Sequence, residues 1–482
     1  MADLLIQKPL QQLMNEASEE GTHTLKRVLG PWSLTALGIG AVIGAGIFVL
    51  TGQAAHDHAG PAVPLSFVAA GIACAFAGLC YAEFASLIPI AGSAYTYGYA
   101  TLGELFAWII GWDLILEYAL GASTVSVGWT GYFVSLLNHI GIQIPATLST
   151  AMYVVNAQGQ WVNTGSFNLV AFFILVTIST ILAVGIQESA TVNTVIVVLK
   201  LAIVLFFIVG CVWYVKPENW QPFIPPQEEF GKFGWTGILR GGALVFFAYI
   251  GFDAVSTAAQ EARNPKRDLP IGILASLTIC TILYILVSSI LTGLVPYKEL
   301  GVPHPVALGI QATPLRSLSW IVELGAVLGL GSVMLVMLLG QSRVFYSMSR
   351  DGLLPAVFSR VHPRFRTPFT TTILTGAVVA LPAALFPIGV LGNMVNIGTL
   401  LAFVIVSASV IVLRIRRPDL PRPFKTPGYP VVPALGVLTS LGLMAFLPLD
   451  TWLRLGIWLV LGLVIYASYG IRHSKVRAAG AR

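Results

Sequence analysis

Twelve runs of about twenty apolar residues divide this chain, and only a lipid bilayer accepts that much apolar helix. The runs are 32–52, 63–88, 104–137, 167–186, 190–215, 237–259, 270–293, 319–348, 369–386, 389–413, 431–449 and 452–472. The third exceeds one perpendicular crossing and is expected to tilt or to project beyond the membrane. The boundaries at 186/190 and 386/389 are the tightest. Charged residues make up 10% of the 482 and hydrophobic residues 56%. Soluble domains are about a quarter charged, and one soluble core cannot bury so much apolar surface. The expected fold class is therefore an all-α membrane protein with twelve transmembrane helices. Residues 1–31 are polar and lack a cleavable apolar core. Within them Leu4, Leu5, Ile6, Leu10, Leu13 and Met14 suit a short interfacial amphipathic helix. Cys74, Cys80, Cys211 and Cys280 all fall inside apolar runs without metal-ligand spacing, so they read as small core hydrophobes.

Charge placement orients the chain. An even number of spans puts both termini on one side. Of the 27 Lys and Arg, six then fall on the far side or its helix ends: Lys216, Lys232, Arg240, Lys298, Arg316 and Arg454. Lys200 lies inside a run, and the rest sit with the termini. The positive-inside rule makes the terminal side cytoplasmic, and the expected location is the cell membrane. The net charge of +6 does not point to nucleic acid, because the basic residues are confined to short loops. There is no catalytic Ser/His/Asp set, zinc motif, P-loop or nucleotide-binding domain, so an enzyme is not expected. His56-Asp57-His58 is too sparse for a metal site, and no metal is expected.

Runs 1–5 cover 32–215 and runs 6–10 cover 237–413. A block with an odd number of spans, repeated in tandem, must be inverted in the membrane. That plan places a site between broken helices at the repeat interface. Runs 11 and 12, at 431–472, lie outside the repeat, and 473–482 is a tail. Run 1 carries glycine at 38, 40, 44 and 46, each costing about 1 kcal/mol of helix propensity relative to alanine. Gly44-Ala45-Gly46 is suited to leave the helix and offer free N–H groups to a carboxylate. The same glycines suit close packing, since Gly40-x-x-x-Gly44 is a small-xxx-small pair. Spacing leaves both readings open. Run 6 carries Phe246, Phe247, Gly251, Phe252 and the intramembrane Asp253. A break there would offer carbonyls to an ammonium, with Phe246 and Phe252 as gate candidates; an aromatic packing stripe is the alternative.

Lys200 lies roughly ten residues from either end of run 5, about 15 Å at 1.5 Å per residue. Its stem does not easily reach water from there. Placing a lysine at a helix centre costs about 2.5–3.5 kcal/mol, and desolvation works against its charged form. These features suit a proton carrier or a fixed partner for a carboxylate. Asp113 and Glu117 lie one turn apart on run 3 and share a face. Glu117, the deeper, is expected to meet a substrate ammonium, Lys200 through water, or neither. Asp113 and Glu83 are expected nearer the hydrated interface.

The chain resembles the amino acid–polyamine–organocation superfamily, in particular the bacterial branch of the cationic amino acid transporters. The resemblance rests on Leu25-Lys-Arg-Val-Leu-Gly30 leading into Gly38–Phe48, and on Ala248-Tyr-Ile-Gly-Phe-Asp253 followed by Glu261–Pro270. It continues through Gly340-Gln-Ser-Arg343, Ser349–Pro355, Val361–Pro368 and Arg422–Pro430. Their order, running from about residue 25 to 472, is the specific signal. The resemblance implies a five-plus-five inverted repeat working by alternating access, with helices 1 and 6 unwound at mid-membrane. It implies that an α-carboxylate meets Ala45 and Gly46, with Val42, Ile43 and Gly44 beside it. The α-amino group would meet carbonyls around Phe247, Ala248 and Ile250. It puts Lys200 where sodium-coupled relatives hold Na⁺, so a proton is the expected coupling ion and no Na⁺ is expected. Glu117 matches a helix-3 glutamate near the site. Ala45 stands where some members carry a hydroxyl, which removes a side-chain hydrogen bond but leaves backbone capture. Leu330 lies in the apolar stretch of run 8 expected to face the substrate, which favours small neutral amino acids over cationic ones.

The expected activity is amino-acid import by proton-coupled symport. Within the transporter class an exchanger or a cationic amino acid permease is the alternative. Outside it, a channel would need repeated polar rings, and a membrane sensor would need a signalling domain. The sequence leaves oligomeric state and any small single-pass partner subunit undetermined.

Overall fold

The computed structural model describes residues 2–9, 29–89, 93–156, 160–185, 190–365 and 367–480. Leu10, Leu13 and Met14 lie outside these residues, while Ala2–Leu5 forms one 3-10 turn. The main helices are α1 (Pro31–Val42), α2 (Val63–Leu87), α3 (Glu104–His139), α4 (Leu169–Val184), α5 (Ala190–Cys211) and α6 (Gly234–Val245). They continue with α7 (Pro265–Leu294), α8 (Ser319–Arg350), α9 (Phe369–Leu385), α10 (Ile388–Arg416), α11 (Val431–Ala445) and α12 (Leu449–Ile465). Counted with the short turns that continue them, eight helical stretches among the described residues are long and apolar enough to cross a membrane; α1, α4, α9 and α11 are shorter apolar helices of 10–17 residues.

The boundaries follow local chemistry. Proline occupies the first turn of α1, α2 and α7, where its missing N–H costs nothing. Gly185 caps α4 in the left-handed region at φ 84°. Extended Phe386 and Pro387 separate α9 from α10. Helix α3 runs unbroken for 36 residues, about 54 Å, in keeping with its expected excess length. One element departs from the all-α expectation. Tyr153–Val155 pairs antiparallel with Trp161–Asn163 between α3 and α4, where β-branched and aromatic residues favour strand.

Apolar residues fill the core and also cover outer helix faces. Val195, Val198, Leu205 and Val209 on α5, and Leu453, Ile457, Val460 and Val464 on α12, are exposed. Such apolar faces require lipid around them. All four cysteines are buried and free. The most extensive helix contacts include α2 on α7, α3 on α8 and α4 on α9, each helix meeting the one five places later. Helix α1 runs along α7 and α5, and α10 along α3.

Glu83 departs from its expected hydration. It is 2% exposed and takes a bidentate contact from Arg414, at 3.0 Å and 2.5 Å. Arg422 lies 3.3 Å away, and the Thr426 N–H donates at 2.8 Å. The carboxylate thus ties the end of α2 to the end of α10 and to the segment after it. Removing one partner of such a pair typically costs about 3–5 kcal/mol, because the other charge stays buried. Glu83→Ala is therefore expected to lower the unfolding temperature of the detergent-purified protein markedly, by more than any exposed Glu→Ala. An unchanged melting curve would show that the pair is not a structural tie.

Candidate functional site at two interrupted helices

Helix α1 stops at Val42. Ile43 turns out of the helix at φ −72°, ψ 100°, and the chain re-enters helix as a π-turn over Gly46–Leu50. A helix that ends inside the protein leaves its last carbonyls without partners, and side chains from two other helices supply donors. The Lys200 ammonium of α5 donates to the Gly40 carbonyl at 2.8 Å and to the Ile43 carbonyl at 3.1 Å. The Tyr284 hydroxyl of α7 reaches the Val42 carbonyl at 2.9 Å and the Ala248 carbonyl at 2.7 Å, sharing one proton between them.

Helix α6 is interrupted in the same manner. It tightens to 3-10 geometry over Phe246–Tyr249, and Ile250 is extended at φ −61°, ψ 132°. Gly251 has φ +116°, which only glycine adopts without strain. A Cβ there would also lie 2.9 Å from the Ala41 backbone. The Asn396 amide of α10 donates to the Ala243 and Leu244 carbonyls at 2.7 and 2.9 Å. So α5 caps the end of α1 and α10 caps the end of α6. The two interruptions touch: a Cβ on Gly46 would lie 2.2 Å from both Cα and Cβ of Ala248.

Sequence reasoning named Val42, Ile43, Gly44, Ala45, Gly46, Phe247, Ala248 and Ile250. The structure brings these together as two adjacent buried stretches. Gly128 of α3 faces Ala45; a Cβ added at this glycine would lie 3.6 Å from the Ala45 methyl. Leu330 of α8 is fully buried, and its neighbour Gly329 packs on the Lys200 stem, with a Cβ there 3.1 Å from Cε. The cavity beside the α1 interruption is only about 10 Å³, lined by Ile47, Phe48, Ile203, Phe207, Val287 and Val322 among others, all apolar. Phe246 and Phe252 both stack edgewise or tilted on Phe403, at 5.5 and 5.3 Å between ring centroids. Phe252 also meets Tyr81 at 5.8 Å.

The carboxylates gather elsewhere. The Glu117 carboxylate accepts from the Thr399 hydroxyl of α10 at 2.8 Å, which is neither of the two named partners. Asp253 and Asp113 are its charged neighbours. Asp113 is 1% exposed, and neither of its oxygens has a protein hydrogen-bond partner. From Glu117 to Gly128, where α3 meets the α1 interruption, is 11 residues or about 16 Å along the helix. Among the described residues no group of three His, Cys, Asp or Glu can hold a metal, and His56 and His58 turn to Asp57 and the Gly231 carbonyl.

Tyr284 and Asn396 were missed by sequence reasoning. A Tyr→Phe exchange at 284 keeps the ring and removes the shared donor, leaving two buried carbonyls less satisfied at about 1–3 kcal/mol. Tyr284→Phe is expected to lower uptake roughly tenfold while folding is kept; wild-type uptake would mean the hydroxyl does not hold the interruptions.

Interrupted helices with capped ends, set among apolar helices with lipid-facing surfaces, define a helical membrane transporter. The chain belongs to the amino acid permease family, whose family model matches residues 29–466. It is 52% identical over 470 residues to the branched-chain amino acid permease BcaP of Bacillus subtilis (strain 168), covering 97% of this chain and 98% of that one. It is 47% identical to the methylthioribose transporter of the same organism, covering 90% and 91%. It is also 39% identical to the vacuolar cationic amino acid transporter 4 of Arabidopsis thaliana, over 83% of this chain and 65% of that one. The resemblance read from the ordered motifs is thus borne out, and the chain is an amino-acid transporter.

Proposed function

We propose that this chain imports small neutral and branched-chain amino acids together with a proton, by alternating access across the cell membrane. The observation that carries the coupling is Lys200, whose ammonium donates to the Gly40 and Ile43 carbonyls. Such a charge occupies the end of α1, and its proton loss would release the interruption. On this reading the protonated lysine holds the interruptions in the binding geometry. The substrate carboxylate is received by the amides at Ala45 and Gly46, and its ammonium by carbonyls at Phe247, Ala248 and Ile250. Deprotonation from the inside then weakens binding and frees the substrate. Glu117, with its neighbours Asp113 and Asp253, serves as a route for that proton.

Twelve spans, an inverted five-plus-five repeat and cytoplasmic termini complete the proposal. Its support is the pairing of α2 with α7, α3 with α8 and α4 with α9, and the matched caps from α5 and α10. The substrate in the name of the relative at 52% identity supports a neutral aliphatic side chain. The relative named for methylthioribose supplies a second reading, an uncharged solute without an α-amino acid backbone. A thermal-shift panel of the twenty amino acids and methylthioribose, followed by uptake of the best ligand into proteoliposomes under an imposed pH gradient, separates them. Stabilisation by leucine, isoleucine, valine or alanine with gradient-driven uptake is expected. Stabilisation by methylthioribose alone overturns the substrate. Trans-stimulated exchange indifferent to the gradient overturns the coupling.

A further inference from the structure

A cavity of about 270 Å³ lies at the ends of α2 and α10, away from the interrupted helices, and is roofed by residues 7–9. The roof is part of the fold. The Lys8 N–H donates to the Tyr99 carbonyl at 3.2 Å, and the Glu104 N–H to the Ile6 carbonyl at 2.9 Å. Lys8, Arg416 and Arg417 line the cavity, and no Asp or Glu is among its described lining residues. Leu87, Ile88 and Leu413 supply an apolar wall. Two of the three cations have outside partners. The Lys8 ammonium meets Asp351 at 3.0 Å, which spends part of its charge. Arg417 meets Asp419 only at 3.8 Å, with both side chains exposed, a pair that contributes little. Arg416 and Arg417 therefore set the positive potential. They sit at the last turn of α10 and just past it, the level at which a membrane helix leaves hydrocarbon for headgroups.

We propose that this cavity binds the phosphate headgroup of an anionic membrane lipid, with Arg416 and Arg417 toward the phosphate and the Leu87–Leu413 wall beside the acyl stem. Basic cavities between helix ends attract such headgroups. The volume is below the ~300–1,000 Å³ of whole drug-sized ligands, which suits a headgroup whose chains stay in the bilayer. A free phosphate would use the same arginines but gain nothing from the apolar wall. The site holds for either orientation of the chain and for any substrate, so it stands apart from the transport reading.

The test is native mass spectrometry of the detergent-purified full chain, titrated separately with phosphatidylglycerol, phosphatidylcholine and inorganic phosphate. One phosphatidylglycerol is expected to be retained about tenfold more tightly than phosphatidylcholine. The double variant Arg416→Gln, Arg417→Gln should lose about tenfold of that affinity, while Arg364→Gln, an exposed arginine elsewhere, should not. Thermal unfolding of all three proteins shows whether each is folded; should the double variant unfold, Arg417→Gln alone carries the comparison. Equal retention of the two lipids, or undiminished phosphatidylglycerol binding by the folded variant, overturns the proposal. Competition by millimolar inorganic phosphate as effective as that by the lipid overturns the lipid as the occupant.

Discussion

Lys200→Ala is expected to abolish uptake driven by a pH gradient, to the background of empty vesicles. The ammonium is 1% exposed and donates to the Gly40 and Ile43 carbonyls. Hydrogen bonds from a charged donor contribute about 1.5–3 kcal/mol each, and each abandoned buried carbonyl costs about 1–3 kcal/mol. Losses of that size exceed the few kcal/mol that separate conformations in a two-state transporter. Three substitutions divide structure from coupling. Lys200→Met keeps the stem that packs on Gly329 and removes the charge. Lys200→Arg keeps a charge that does not leave at physiological pH. Lys200→Ala removes both. If the proton matters, Met and Arg both lose gradient-driven accumulation, and Met retains some downhill exchange because its packing survives. Full gradient-driven uptake by Lys200→Ala would sink the assignment.

What the sequence made legible, and what it hid, depends on how far each partner lies along the chain. Lys200 stands out because roughly ten residues of a largely apolar run on each side leave it no easy route to water, a purely local observation. Gly44 and Gly46 stand out because glycine is costly in a helix. Tyr284 and Asn396 do not stand out. A tyrosine or asparagine in an apolar helix is ordinary, and their acceptors are main-chain carbonyls, which every residue has. The Val42 carbonyl lies 242 residues from Tyr284, and the Ala243 carbonyl 153 from Asn396. Only the fold says which carbonyls are orphaned. Glu83 was misjudged for the same reason. Its depth near a helix end suggested hydration, whereas Arg414, 331 residues away, closes over it. Glu117 has a neighbour at Thr399 that no spacing rule anticipates. Eight helical stretches among the described residues are long and apolar enough to cross a membrane and four more apolar helices are shorter; α1 and α6 end at the interruptions, which hydropathy averages away.

Gly46→Ala is expected to damage binding and transport far more than Gly44→Ala, although the two glycines look alike in the sequence. A Cβ on Gly44 meets only the Val333 side chain, at 3.3 Å, and a valine rotation of a few tenths of an ångström accommodates it. A Cβ on Gly46 falls 2.2 Å from the Cα and Cβ of Ala248, and 2.9 Å from its backbone nitrogen. That backbone is the 3-10 stretch of α6, pinned through the Ala248 carbonyl by Tyr284 at 2.7 Å. It has nowhere to move without parting the two interruptions. Overpacking of a buried contact costs about 1–3 kcal/mol, occasionally more, which is roughly a 5- to 150-fold loss. Gly46→Ala should therefore cut substrate-induced thermal stabilisation and initial uptake into that range, with Gly44→Ala within a few-fold of wild type. Gly44→Leu, whose branches reach past Val333, should join Gly46→Ala. A partial rescue follows from the same distances: Ala248→Gly removes one of the two clashing carbons, so Gly46→Ala with Ala248→Gly should regain some uptake without reaching wild type. Equal losses for Gly44→Ala and Gly46→Ala would mean that the contact between the two interruptions does not control the site.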